Sequence, residues 1–229
     1  MNLGSLFVIS TPIGNLEDIT YRAIKTLSDV DIALCEDTRV TKRLFNNYNI
    51  KTKMISYNEY NEIQKIDFIS QLLVEGSSVA LVTDAGTPCI SDPGYRLISN
   101  IKNNHPEINV ISIPGPSASI SSLSISGLPS DCFCFIGFLP KKKGRNKKIK
   151  ELTDFKGSSI IFESPKRVLK TLNDLFLILG NRKVFIAREM TKIYEETFYT
   201  DLESIASDGV VLKEKGEYVI IIAKEGYQV

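Results

Sequence analysis

The stretch Val79-Ala80-Leu81-Val82-Thr83, followed at once by Asp84-Ala85-Gly86-Thr87-Pro88 and then by Asp92-Pro93-Gly94, sets the frame for the whole chain. A short apolar run ends in a turn rich in Gly and Pro. The same arrangement occurs twice more. Leu6–Ser10 leads into Thr11-Pro12-Ile13-Gly14-Asn15, and Val110–Ile113 leads into Pro114-Gly115-Pro116-Ser117-Ala118. If the three runs are parallel strands, their turns meet at one edge of one sheet. Ligands of open α/β sheets bind at that edge, outside the carboxyl ends of the strands. Glycine lets backbone approach a ligand closely, and proline fixes the turn. Taken one at a time, such turns are also ordinary strand-to-helix connections.

Working outward, continuous Val/Ile/Leu runs alternate with amphipathic segments through the first half, the pattern of a mostly parallel sheet covered on both faces. Predicted strands are Leu6–Ser10, Asp31–Cys35, Lys53–Ile55, Val79–Thr83 and Val110–Ile113. Predicted helices run from a cap at Asp18, from Thr38 to Tyr48, through Ile63, Ile66, Ile69 and Leu73 to a stop near Gly76, and from Tyr95 to Asn103. The second half changes character. A helix of small residues is expected over Ser117–Gly127 and a strand over Cys132–Phe138. Ser159–Glu163 is a further strand, and Ser164-Pro165 reads as N-cap and first position of the next helix, which ends at Gly180-Asn181. Val184–Arg188, Glu195–Thr200 and Tyr218–Ala223 have little helix between them, so a mixed sheet with antiparallel pairs is expected. The predicted fold is two α/β domains, a mainly parallel one over 1–115 and a mixed-sheet one over 116–229, with the active-site cleft between them.

The chain has 229 residues, 43% of them hydrophobic and 24% charged, the composition of a soluble globular protein. No run approaches the roughly 20 apolar residues that span a bilayer. Met1–Leu6 carries no basic segment of the kind that opens a secretory signal, so a cytoplasmic location is expected. Cys35, Cys89, Cys132 and Cys134 form no C-x-x-C pair and His105 is the single histidine, so no metal site is expected. The cysteines read as buried small hydrophobes, and His105 as a surface loop residue.

Neither a G-x-G-x-x-G turn nor a G-x-x-x-x-G-K-[ST] loop is present, which argues against a dinucleotide site and a P-loop. Glu36-Asp37-Thr38-Arg39 stands at the end of the second strand. Its carboxylates suit substrate positioning or proton abstraction, and equally a helix cap with Arg39 paired outward. Glu163 with Arg167, and Arg188-Glu189 with Lys192, repeat the pattern of acid and base at strand ends; they suit an anionic substrate or plain solvated charge. Lys141–Lys150 holds seven basic residues and no acid, which leaves the rest of the chain at a net −6 against an overall +1. This is a footprint for phosphate, with no interleaved aromatics to stack single strands.

Together TPIGNLEDITYRA (11–23), CEDTR (35–39), NEYNE (58–62), DAGTPCISDPGYRL (84–97), PGPSA (114–118), GLPSDCFCFIGFLPKKKGR (127–145), FESPKRV (162–168) and REMTKIYEE (188–196) resemble the tetrapyrrole-methylase-like superfamily. Within it they are most similar to the branch of bacterial 16S rRNA (cytidine-2′-O)-methyltransferases. The resemblance implies two α/β domains and S-adenosyl-L-methionine held mostly on backbone. Its contacts would be Pro12, Ile13, Gly86, Thr87, Ile90, Ser117 and Ala118, with Phe162 closing over it. It implies methyl transfer to a ribose 2′-oxygen in the decoding region of the small ribosomal subunit, by a homodimer. Candidates for base or orienting group are Glu36, Asp37, Glu163 and Glu189. Those for RNA contact are Arg39, Lys141, Lys142, Lys143, Arg145, Arg167, Arg188 and Lys192. The first turn, Ser10–Gly14, lacks the Gly-rich sequence usual in tetrapyrrole-modifying members, which favours the rRNA branch over a porphyrinoid C-methylase. A non-catalytic RNA-binding relative is the other alternative. Longer members carry a C-terminal extension beyond the position matching Val229, and RNA contacts made by such an extension are not expected of this sequence.

Overall fold

The computed structural model describes residues 3–208 and 212–227; Met1 and Asn2 of the N-terminal stretch lie outside them. The chain divides after Ser117 into two compact units.

In the first unit, strands β1 (Ser5–Ile9), β2 (Ile32–Cys35), β3 (Lys53–Ser56), β4 (Val79–Val82) and β5 (Asn109–Ile113) form one sheet in the order β3-β2-β4-β1-β5. Every pairing is parallel. Side chains alternate between the two faces of a strand. Ile9, Ala33, Cys35, Ala80, Val82 and Ile113 therefore pack on one side, with Ala23 and Leu27 of α1 (Tyr21–Asp29) and Leu44 and Phe45 of α2 (Thr38–Asn47). Leu6, Ile32, Leu34, Val79 and Leu81 pack on the other, with Ile69 and Leu73 of α3 (Glu62–Val74) and Leu97 and Ile101 of α4 (Tyr95–Asn104). β2 and β4 are buried throughout, which is why they read as unbroken apolar runs.

The second unit is built on β6 (Phe133–Phe138), β7 (Ser158–Glu163), β8 (Lys183–Arg188), β9 (Glu196–Asp201) and β10 (Tyr218–Ile222), in the order β6-β7-β10-β8-β9. Only β6 and β7 pair in parallel; the rest of the ladder is antiparallel. One face packs on α6 (Arg145–Lys150), α7 (Val168–Leu179) and α8 (Leu202–Asp208) through Ile149, Leu172, Leu175 and Ile205. The other carries α5 (Ala118–Ile125), through Leu123. The expected mixed sheet is thus present. No helix among the described residues is long and apolar enough to cross a membrane.

Local chemistry moves several predicted boundaries. Thr20, not Asp18, caps α1: its hydroxyl accepts from the Ala23 N–H at 3.1 Å, while Asn15 caps a separate 3-10 turn over Leu16–Asp18. Ser164-Pro165 does not open α7. The Glu163 carboxylate takes the Ser164 N–H at 2.7 Å, the next three residues form a turn, and the helix begins at Val168. The second half of the basic segment Lys141–Lys150 is helical, forming α6. α8, between β9 and β10, was not expected. Cys35 is buried as predicted, but Cys132 is exposed.

Gly94 caps α4 with φ 130°, and a Cβ there would stand 2.6 Å from Leu81 Cδ2 and 2.8 Å from Cys89 Sγ. Gly94→Ala is therefore expected to lower unfolding stability by about 2 kcal/mol in urea titration, through backbone strain and the displaced Leu81. Gly144→Ala, also at positive φ but with no atom within 4 Å, gives the cost of φ alone and should be the milder change.

Candidate active site

Because the first sheet is wholly parallel, the turns after β1, β2, β4 and β5 share one edge. Thr11 and Gly86 form an antiparallel bridge there, with N–H···O distances of 2.9 and 3.1 Å in the two directions. Gly86 has φ 84°, a conformation open to glycine at little cost. The Thr11 hydroxyl donates to the Thr83 carbonyl at 3.1 Å. The Thr87 hydroxyl lies 2.9 Å from Ser10 Oγ and 3.3 Å from the Pro116 carbonyl, tying the second turn to the first and the third. A Cβ on Gly115 would meet Ser10 Cβ at 3.0 Å. The result is a cradle of backbone in which Pro12, Ile13 and Gly86 are buried, Thr87 is half-buried and Ile90 is exposed. Ser117 closes the first unit; Ala118 and Phe162 lie in the second.

Beside the cradle, a pocket of about 840 Å³ opens among Glu36, Glu59, Tyr60, Glu62, Cys89, Ser91, Asp92, Pro93, Tyr95 and Arg96. Glu36 Oε2 accepts from the Thr83 hydroxyl at 2.7 Å. The Asp92 carboxyl is pushed up to about 6, first by burial and then by the Glu36 and Asp84 carboxylates, against a hydrogen bond from Thr83. Burial likewise raises Asp84, which also faces Glu36 and Asp37. Asp37 behaves differently. It caps α2 through the Arg39 N–H at 2.8 Å and grips the Arg39 guanidinium at 2.6 Å, which holds its carboxyl down at about 2. The helix-cap reading of this pair is what the structure contains.

In the second unit the Glu163 carboxylate is 1% exposed. It accepts from Ser164 N–H at 2.7 Å, Arg167 Nη2 at 2.6 Å and the Thr171 hydroxyl at 2.7 Å. Arg145 joins the same network through Thr171 at 2.7 Å and Asp174 at 2.8 Å, and is 6% exposed. Arg188, 5% exposed, donates to the Lys215 and Tyr194 carbonyls and to Glu196. Arg145 and Arg188, expected as phosphate contacts, are interior struts instead, because each guanidinium is already held by carboxylates, carbonyls or a hydroxyl. Burial raises the Glu189 carboxyl, but hydrogen bonds from Lys192 and the Glu217 N–H outweigh it and the net shift is downward. Lys141, Lys142 and Lys143 are exposed. Lys141, Lys142 and Lys147 line a second pocket, of about 470 Å³, with Lys170 opposite.

Residues 5–206 match the family described as Tetrapyrrole (Corrin/Porphyrin) Methylases. The chain belongs to the tetrapyrrole methylase family. Among curated relatives, it is 47% identical to "Ribosomal RNA small subunit methyltransferase I" of Halalkalibacterium halodurans, over 99% of this chain and 78% of that one. It is 46% identical to the protein of the same name from Thermotoga maritima, over 96% and 99%. The fold is similar to that of the methyltransferase CobJ, with TM-score 0.71, 16% identity and coverage of 99% and 97%. It is also similar to uroporphyrin-III C-methyl transferase of Thermus thermophilus complexed with S-adenyl homocysteine, with TM-score 0.66, 16% identity and coverage of 97% and 98%.

Of the four carboxylates singled out in the sequence of this tetrapyrrole methylase, Glu36 alone lines a described pocket. Asp84 and Asp92 stand in the Gly/Pro-rich turns after β4, and a carboxylate in a strand-end turn is the signal by which sequence can find them. Glu59, Tyr60 and Glu62 of the pocket lining belong to the NEYNE stretch, which carries no assigned role in the sequence. An aspartate with a raised pKa binds its proton more tightly folded than unfolded, so it destabilises the fold as pH rises from about 4 to about 6. Asp92→Asn removes that loss. Its stability relative to wild type is expected to rise across this interval by on the order of 1 kcal/mol after solvent screening, measured by thermal melts from pH 4 to 7. A difference that stays constant over the range would remove the carboxylate cluster as the cause.

Proposed function

We propose that this chain transfers a methyl group from S-adenosyl-L-methionine to the ribose 2′-oxygen of a cytidine in the decoding region of 16S rRNA, acting as a cytoplasmic homodimer. Methylation of small-subunit ribosomal RNA follows from family membership and from relatives of that name at 40–47% identity over nearly the whole chain. The observation that carries the chemistry is Glu36, a half-buried carboxylate standing beside the backbone cradle on the same sheet edge.

The cradle fits the cofactor on structural grounds. The Thr11–Gly86 bridge and the Ser10–Thr87–Pro116 contacts leave backbone, not side chains, facing the edge, and the positive φ of Gly86 keeps that surface free of a Cβ. Pro12, Ile13, Gly86 and Thr87 would hold the cofactor, which when bound supplies an electrophilic methyl group. The chain's own residues do the rest. Glu36, fixed by Thr83, accepts the 2′-hydroxyl proton. The rigid turns align donor and acceptor, and positioning is the larger part of the acceleration. The lysines of the basic segment hold phosphates, and Arg145 keeps α6 on α7 so that they face one way.

The test is incubation with labelled S-adenosylmethionine and small subunits from a strain lacking this activity, with the label mapped by mass spectrometry. Label on one ribose 2′-oxygen of a decoding-region cytidine is the expected result; label on the base or on no RNA removes the reading. Glu36→Gln is expected to lower kcat by about 100-fold or more while cofactor affinity by calorimetry stays within about twofold. The Lys141→Ala, Lys142→Ala, Lys147→Ala triple variant should weaken RNA binding and reduce the slope of log K against log salt by roughly two to three. Arg145→Met should instead lower thermal stability, since it strands buried carboxylates.

A further inference from the structure

Acid does not cover the whole of the first unit. Residues 38–58 hold five bases and no acid: Arg39, Lys42, Arg43, Lys51 and Lys53. Over the rest of Met1–Ser117, thirteen acids stand against five bases. The basic run comprises α2, the turn after it and β3, the outermost strand of the parallel sheet. Of the five bases, Arg39 alone is among the RNA contacts that the resemblance implies. The helix sorts its residues onto two faces. Thr41, Leu44 and Phe45 are buried. Arg39, Lys42, Arg43 and Asn46, spaced i, i+3, i+4 and i+7, are all exposed and form the opposite stripe.

These charges do little for the fold. Arg39 pairs with Asp37, yet its side chain stays 88% exposed. Lys42, Arg43, Lys51 and Lys53 are exposed, and among the described residues no carboxylate pairs with them. Cations stabilise a helix at its C-terminus, where the dipole is negative, but α2 has none in its last turn. Arg39 and Arg43, four apart on one face, repel each other. A stripe placed against both rules complements an anion outside the chain.

Its position fits an RNA strand. α2 starts two residues after Glu36, at the edge that carries the cradle, and runs about 15 Å away from it. Lys53 is in register with Ile32 at the opposite, amino-terminal edge of the sheet. The cations are therefore strung from the functional edge to the far edge of one unit, a length that covers several phosphates of one strand.

Resting on the function proposed above, we infer that the exposed face of α2, continued by Lys51 and Lys53, binds the phosphodiester backbone of the rRNA strand flanking the target nucleotide. The contact reads no bases. Lysines and arginines on an open helix face neutralise phosphates and release their counterions, which fixes register and adds affinity without sequence preference. It is a second anchor, on the unit that carries Glu36, independent of the lysines of the second unit.

The experiment measures binding of the full chain to unmethylated small subunits by filter retention, at salt between about 50 and 200 mM. The variants are Lys42→Gln with Arg43→Gln, Lys51→Gln with Lys53→Gln, and the charge-preserving exchange Lys42→Arg with Arg43→Lys. Lys102→Gln, an exposed cation of α4 on the other face of the sheet, controls for net charge. Each glutamine pair is expected to reduce the slope of log K against log salt by roughly 1 to 2 and to weaken binding about tenfold at the lowest salt. In turnover the loss should appear in KM rather than kcat, with cofactor affinity and melting temperature held. The exchange variant and Lys102→Gln should match wild type. An unchanged slope in either glutamine pair, or an equal loss per charge in Lys102→Gln, would overturn the inference and leave the methyl transfer standing. So would intact RNA binding with an altered oligomeric state in sedimentation, which would make the face a protein contact. Wild type that places no label on RNA removes both readings together.

Discussion

Two backbone hydrogen bonds between Thr11 and Gly86 hold the functional edge of the first unit together. They join the turn after β1 to the turn after β4, strands that are already neighbours in the sheet. Thr87 then reaches Ser10 and Pro116, so the third turn is drawn in through hydroxyls. The pattern requires small, rigid residues. A side chain at Gly115 would crowd Ser10, and Gly86 adopts a φ that glycine tolerates best. The edge is thus a fixed surface of peptide groups rather than a set of mobile side chains. That suits a ligand recognised by shape and backbone hydrogen bonds.

Charge is divided between the two units in a way that matches a nucleic-acid substrate. The second unit presents Lys141, Lys142, Lys147 and Lys170 around one pocket. The first gathers Glu36, Glu59, Glu62 and Asp92 around another. Phosphate favours the first environment and is repelled by the second. Neutral donors favour the second. Within the second unit, buried ion pairs fix the frame: Arg145 links α6 to α7 through Thr171 and Asp174, and Glu163 anchors Arg167 at the start of α7. Removing one partner from such a network leaves a charge in the interior, which is why these arginines are structural.

The sequence made the architecture legible wherever strands were buried on both faces. β2 and β4 appear as unbroken Ile, Ala, Leu and Val runs because each residue packs against a helix on one side or the other. The Gly/Pro turns were equally plain, since special backbone conformations restrict residue type. Boundaries at polar residues were harder. Asp18 and Thr20 are both competent caps, and Ser164-Pro165 has the composition of a helix start. Neighbours chose between them: Thr20 accepts from Ala23, and Glu163 claims the Ser164 N–H before the helix can.

By itself, then, the sequence determined that the chain is two α/β units, that strand-end turns gather at the edge of a parallel sheet, and that a basic segment stands apart from an otherwise acidic chain. Those are local properties: periodicity, turn composition and charge along the chain. Tertiary structure alone decided what each charge does. Asp37, Glu163 and Arg188 look in sequence like Glu36 and Lys141, yet the first three are locked in ion pairs, Glu36 and Lys141 line pockets, and Arg145 does both. Asp92 acquires its raised pKa only on folding, first because it is buried and then because Glu36 and Asp84 are set near it. A side chain's charge is written in its type; whether that charge meets water, a counter-ion or a substrate depends on neighbours that only the folded chain supplies.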